Sequence, residues 1–272
     1  MLRKLFKHEF KETAKLLLPL DLVLLAVTVI GCILLGSSIL QNESLQMLSF
    51  SCMMIYILSI FALFIITAVY LTVRFYKTMY AAQGYLTHTL PVSTISIIHT
   101  KLLTAVFWLL IAAVITTGSI FLLIRIAAGN DWDPAAFSIA ADALYESLGI
   151  PFGEFMSYII LSVLLSCFSM VLMIFASLSV GQLFGQHRIL AAVVTYIVFY
   201  IIQQIISMIV LFAIGIGNTY DFSDEVLLSD APNAVASFYR GTFITGIIEA
   251  LIFAIAFYIT GRYITCKHLN LE

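Results

Sequence analysis

Six apolar runs, each long enough to cross a bilayer and each bounded by polar or charged residues, decide what this chain can fold into. A hydrocarbon core about 30 Å thick is crossed by about 20 helical residues, and the runs fall near positions 20–40, 48–73, 102–125, 156–183, 190–215 and 243–263. In lipid, backbone N–H and C=O groups must be satisfied within the segment itself, so each run reads as a helix. With 62% of its 272 residues hydrophobic and only 10% charged, the chain has too little polar surface to clothe a soluble globule. The sequence thus predicts an all-α integral membrane protein with six transmembrane helices. Residues 1–272 form a single transmembrane domain, because the polar stretches between the runs are too short to fold independently.

Charge placement sets the expected orientation. Of the thirteen Lys and Arg residues, eleven lie on one side of such a topology. These are Arg3, Lys4, Lys7, Lys11, Lys15, Arg74, Lys77, Lys101, Arg188, Arg262 and Lys267, which leaves Arg125 and Arg240 on the other. By the positive-inside rule both termini are cytoplasmic. The four cysteines are too scattered for a disulfide scaffold, and no CxxC or HExxH spacing offers a metal site.

Ahead of the first run, Leu2, Leu5, Phe6, Phe10, Thr13, Ala14 and Leu17 share a helical face while Lys4, Lys7, Glu12 and Lys15 occupy the rest. This pattern predicts an amphipathic interfacial helix over residues 1–18, with a merely charged leader as the alternative. Pro19 disfavours helical geometry at Leu18 and suits the first turn of a new helix, so a bend into the membrane is expected there. Asp21 would then sit in the first turn of span one, near water and at the favourable end of the helix dipole, in a structural role.

Between spans two and three lies a long cationic segment, residues 74–101, which pauses at Gly84, breaks at Pro91 and re-enters a helix capped by Ser93 or Thr94. Its apolar side chains (Met79, Tyr80, Tyr85, Leu86 and Leu90) exceed what a solvated loop needs, and a partner or lipid headgroups should cover them. Residues 126–155 and 216–242 read as extracellular loops. The first contains a short helix opened by Asp133 and Pro134 and closed by Gly149, while part of the second could dip back into the outer face of the membrane.

Three polar side chains interrupt the later spans. Gln203 and Gln204 are adjacent amides at bilayer depth, and Glu249 is a carboxyl inside span six. All three are taken as substrate-pathway residues, interhelical hydrogen bonding being the competing use of the two amides. Ser162, Ser166 and Ser169, followed by Gly181 and Gly185, mark a face where helix backbones can approach closely. A phosphate-binding GxxxxGK[ST] loop and a GxSxG nucleophile elbow are both absent, so no catalytic residue is assigned and no ATP binding by a recognised route is expected in this chain.

The stretch GYLTHTLPVSTISIIHTKLL, residues 84–103, resembles the segment joining spans two and three in ABC-2 type permeases, the transmembrane subunits of bacterial ABC exporters. The leader with KHEFKET, the six spans and the closing KHLNLE tail are similar in plan. That resemblance implies a cytoplasmic coupling helix in which Gly84, Tyr85, Leu86, Thr87 and Pro91 dock on a separate ATP-binding subunit. It further implies two such subunits per complex, ATP and Mg bound in them, no cofactor in this chain, and a second permease copy or a related permease. A bacterial plasma membrane and export of small peptides, antimicrobial compounds or lipids follow from the same source. No nucleic acid is implied as a partner. Two rival readings are a non-transporting membrane sensor or immunity scaffold with the same fold, and an intramembrane enzyme.

Overall fold

The computed structural model describes residues 2–36, 43–81, 83–84, 89, 92–127, 135–185, 187–223 and 231–267. Among these, seven helices account for the regular structure, in the order α1 (Leu2–Gly36), α2 (Glu43–Met79), α3 (Thr94–Ala127), α4 (Ala135–Leu148), α5 (Phe152–Gly181), α6 (Arg188–Ser223) and α7 (Ala231–Lys267). All but α4 are long and apolar enough to cross a membrane. The chain is thus a helical, multi-pass membrane protein.

These helices overrun the hydrocarbon core. At 1.5 Å per residue the 35 residues of α1 extend about 50 Å, because nothing in the leader stops a helix. Pro19 lies inside α1 and does not begin a new helix as expected. It sacrifices one hydrogen bond to the carbonyl four residues earlier, a loss that membrane helices tolerate. Asp21 is consequently mid-helix with no free helix terminus beside it, and it is buried on the packed face of α1 with Leu17, Leu24 and Thr28. The water-accessible site expected for it is not found.

The segments expected as extracellular loops are also more helical than the sequence suggested. α6 continues to Ser223, and α7 begins at Ala231, so much of residues 216–242 extends these two helices and does not form a loop. Pro232 falls in the first turn of α7, where a missing N–H costs nothing. The short helix expected between spans three and four is present as α4, and Gly149 ends it in the left-handed region at φ 66°, its N–H donating to the Tyr145 carbonyl at 2.8 Å. This is the glycine stop that the sequence predicted. Asp133 and Pro134 lie outside the described residues.

The helices form two compact units, one spanning Met1–Trp132 and the other covering Asp133–Asn270. In the first, α1 packs on α3 and more lightly on α2. Leu24, Leu63 and Ala112 form its buried centre, flanked by Leu20, Tyr56, Ile60, Phe64 and Ile115, while the Tyr56 hydroxyl and Ser119 Oγ lie 2.6 Å apart and tie α2 to α3. Toward the ends of the helices Gly31 brings α1 close to α3, since a Cβ there would stand 3.2 Å from Leu123 Cδ2.

In the second unit α5 packs against α7 and α6, and α4 rests on α7 and α5. The close approach expected at Gly181 is present: a Cβ there would fall 2.6 Å from Ala192 Cβ and 2.8 Å from the Arg188 carbonyl oxygen. Gly185 contributes nothing to it, being exposed in the turn with no atom nearby. Of the serine stripe only Ser169 is buried. Ser179 and Thr265 hydroxyls, 3.2 Å apart, link α5 to α7, and on α7 a Cβ added at Gly261 would stand 3.5 Å from Ala176 Cα of α5.

Candidate functional site

A charge cluster in the first unit joins three helices at the ends that bracket residues 80–93. Glu9 of α1 accepts from Arg74 of α2 through both carboxylate oxygens, at 3.2 Å from Nε and 3.1 Å from Nη2. Lys101 of α3 donates to Glu9 Oε1 at 2.9 Å and to Thr78 Oγ1 at 2.6 Å. Helical spacing assembles these partners. Arg74 and Thr78 lie one turn apart on α2, and the Thr78 hydroxyl donates back to the Arg74 carbonyl at 2.7 Å. One turn along α1, Thr13 donates to the Glu9 carbonyl at 3.0 Å and accepts from Trp108 Nε1 of α3 at 2.7 Å. Phe10 stacks on the Trp108 ring with centroids 5.0 Å apart.

Lys101 is only 7% exposed, with Glu9 and Arg74 at 16% and 19%. Two cations therefore share one carboxylate in a largely dry site, leaving a formal surplus of one positive charge. Such a cluster is costly to assemble and more costly to break, about 3–5 kcal/mol when a change leaves a buried charge without its counter-charge. Its mechanical consequence is that the N-terminal part of α1 is tied to both ends of the α2–α3 connection.

Sequence reasoning counted Arg74 and Lys101 as orientation signals and missed Glu9 as their partner. One signal was available: Lys101 immediately precedes an apolar run, and Glu9 adjoins Phe10 on the apolar side of the leader.

The segment between those ends is partly described. Met79 and Tyr80 are buried within the chain's own fold, which corrects the expectation that a partner or lipid covers them; Phe75 meets Tyr80 edge-on at 5.9 Å. Gly84 is buried and donates to the Ala81 carbonyl at 2.6 Å. Ser93 caps α3, its Oγ 3.4 Å from the Ser96 amide and 2.9 Å from the Ser96 hydroxyl. Tyr85, Leu86, Thr87 and Pro91 lie outside the described residues.

In the second unit Ser207 of α6 donates to Glu249 Oε1 of α7, so the carboxyl faces a neighbouring helix. Gln203 is half-buried one turn before Ser207 on the same side of α6, whereas Gln204 is exposed. The three proposed pathway residues thus separate: Gln203 shares Ser207's side of α6, which meets Glu249, and Gln204 does not. Elsewhere in this unit Arg240 Nε and Nη2 pair with Glu154 at 2.7 and 2.8 Å. Tyr158 donates to the same carboxylate at 3.0 Å and stacks on Phe243, which fastens the start of α5 to α7.

No group of three His, Cys, Asp or Glu side chains able to hold a metal occurs among the described residues, and all four cysteines are free. Comparison with protein-family models, curated proteins and solved structures returned no match.

Proposed function

We propose that this chain is the membrane-spanning permease subunit of an ATP-driven exporter of the ABC-2 type, working with a separate ATP-binding subunit. The observation that carries the reading is the Glu9–Arg74–Lys101 cluster. A segment that transmits force from an outside motor must not swing freely, and here both of its flanking helices are clamped to α1 through one carboxylate. The likeness of residues 84–103 to the permease coupling segment and the six membrane-length helices support the same reading.

In this account two permease chains enclose the pathway, and two ATP-binding subunits dock at Gly84, Tyr85, Leu86, Thr87 and Pro91, binding ATP and Mg themselves. Their closure pushes the clamped ends of α2 and α3 and changes which side of the membrane the pathway opens to. The substrate is a small peptide, antimicrobial compound or lipid, with Gln203, Gln204 and Glu249 as the polar groups that could meet it.

Purification from its native membrane should recover an ATP-binding subunit with the chain. If Tyr85 and Leu86 are anchors, each truncation costs about 2–4 kcal/mol, a weakening of roughly 30- to 1000-fold. The double change Tyr85→Asp and Leu86→Asp should then abolish recovery while membrane insertion persists. Retention of the subunit at wild-type stoichiometry would favour the sensor or scaffold reading.

A further inference from the structure

Asp21 carries a carboxyl whose chemistry the fold leaves unanswered. Its side chain lies in the packed face of α1, only 4% exposed, and its Oδ2 atom is closed to water and has no hydrogen-bond partner. Buried hydroxyls in the same helices are served differently. Thr13, Thr28 and Thr104 each donate to the carbonyl four residues back in their own helix, an outlet that a carboxylate, which only accepts, does not have. It needs a donor or a cation opposite it. Moving from the Leu24–Leu63–Ala112 layer toward Glu9, the next buried positions are Asp21 on α1, Thr67 on α2, and Leu109 and Trp108 on α3. None is charged, and the Trp108 N–H is already given to Thr13.

The helices packed on α1 supply no counter-charge along this stretch. From Leu16 to Gly36 of α1 the titratable groups are Asp21 and the Cys32 thiol, from Ser51 to Val73 of α2 they are Cys52, Tyr56 and Tyr70, and from Leu102 to Ile124 of α3 there are none. The Tyr56 hydroxyl is held by Ser119, and Tyr70 stands beside Arg74. Among the cations beyond, Lys15 pairs with Glu12 on the exposed side of α1. Arg74 and Lys101 are committed to Glu9, which lies about 18 Å back along the helix axis from Asp21. An ionised carboxylate so enclosed carries a desolvation cost with nothing to offset it. A metal ion would need several oxygen ligands and room around Oδ2, which the packing denies. A proton needs neither.

We propose that Asp21 is a proton-binding site inside the membrane, occupied in the closed core of α1, α2 and α3 and able to exchange only when that core opens to water. Binding forms the O–H bond of a neutral carboxylic acid; release breaks it, passes the proton to water and leaves a hydrated carboxylate. Proton occupancy and movement of α1 are thereby linked, because each state of the carboxyl favours one arrangement of the core. A leucine would pack there at no polar cost, so proton exchange is what the carboxyl adds. This replaces the structural role expected from the sequence, and it holds with or without an ATP-driven partner.

The test uses the full chain in nanodiscs at neutral pH. Dicyclohexylcarbodiimide, which is lipid-soluble and attacks protonated carboxyls, should modify Asp21, as located by peptide mass mapping. Glu9, held ionised by two cations, should stay unmodified, and a water-soluble carbodiimide with an amine nucleophile should leave Asp21 untouched. The infrared spectrum should contain the carbonyl band of a neutral carboxylic acid that shifts slowly in D2O and is lost in Asp21→Asn. The amide has the shape of the neutral acid, so this variant should insert and melt as the wild type does. Absence of an adduct at Asp21, modification by the water-soluble reagent, a band that shifts at once in D2O, or a spectrum unchanged by Asp21→Asn would overturn the proposal. So would protection of Asp21 by Na+ but not by choline at equal ionic strength, which would put a metal ion in the site. The labelling measurements need no variant and decide the matter even if Asp21→Asn fails to fold.

Discussion

At the scale of single residues, the ratio of charges around Glu9 makes an asymmetric prediction. Replacing Glu9 by Gln strands two cations in a dry site, each already less than a fifth exposed, and should cost about 3–5 kcal/mol. Replacing Lys101 by Met leaves Glu9 and Arg74 as a one-to-one bidentate pair and fills the same volume with an apolar chain, so it should cost clearly less. Thermal unfolding of the two variants in detergent checks the order; equal losses would mean that Lys101 is an essential counter-charge and not a surplus one. The partners in this cluster stand 65 and 92 residues apart, which explains why it was illegible in the sequence. An acid in a cationic leader looks like a solvated charge until the helices that cover it are placed. Ser93 and Gly149, by contrast, act within a single turn and were read correctly.

Individual elements were predicted well in number and poorly in extent. Each apolar run coincides with one helix over most of its length, because lipid allows little else, but the hydrocarbon boundary does not end a helix, and the true stops depend on local chemistry. α1 passes through Pro19, and α7 starts at Ala231 in a stretch rich in acids and turn formers. Packing between elements was legible where small residues signal it. At Gly181 an added Cβ would fall 2.6 Å from Ala192 Cβ, so Gly181→Ala should force α5 and α6 apart, at the cost of about 1–3 kcal/mol typical of overpacking. On α7, Gly246 has nothing within 4 Å of the same added atom. There the change to Ala should be neutral, or stabilising by up to about 1 kcal/mol through reduced unfolded-state entropy. Melting temperatures of the two variants compare the sites, and similar losses at both would contradict the close approach.

For the whole molecule, six membrane-length helices follow from the sequence almost by necessity, whereas the sidedness of those helices and the role of the connection between α2 and α3 are interpretations built on charge and resemblance. The eleven-to-two division of Lys and Arg predicts that a single cysteine at Asp142 reacts with an impermeant thiol reagent added outside intact cells, and that one at Thr87 does not; labelling at Thr87 would invert the topology. Clamping of α1 to both ends of the connection would let it carry force, and contact with a motor subunit is what the permease reading requires. A photoreactive side chain placed at Tyr85 in the full chain, activated in native membranes, measures that contact directly. The account predicts a covalent adduct with an ATP-binding subunit whose yield changes when ATP is trapped in the complex. Adducts with lipid alone, at any nucleotide state, would contradict it.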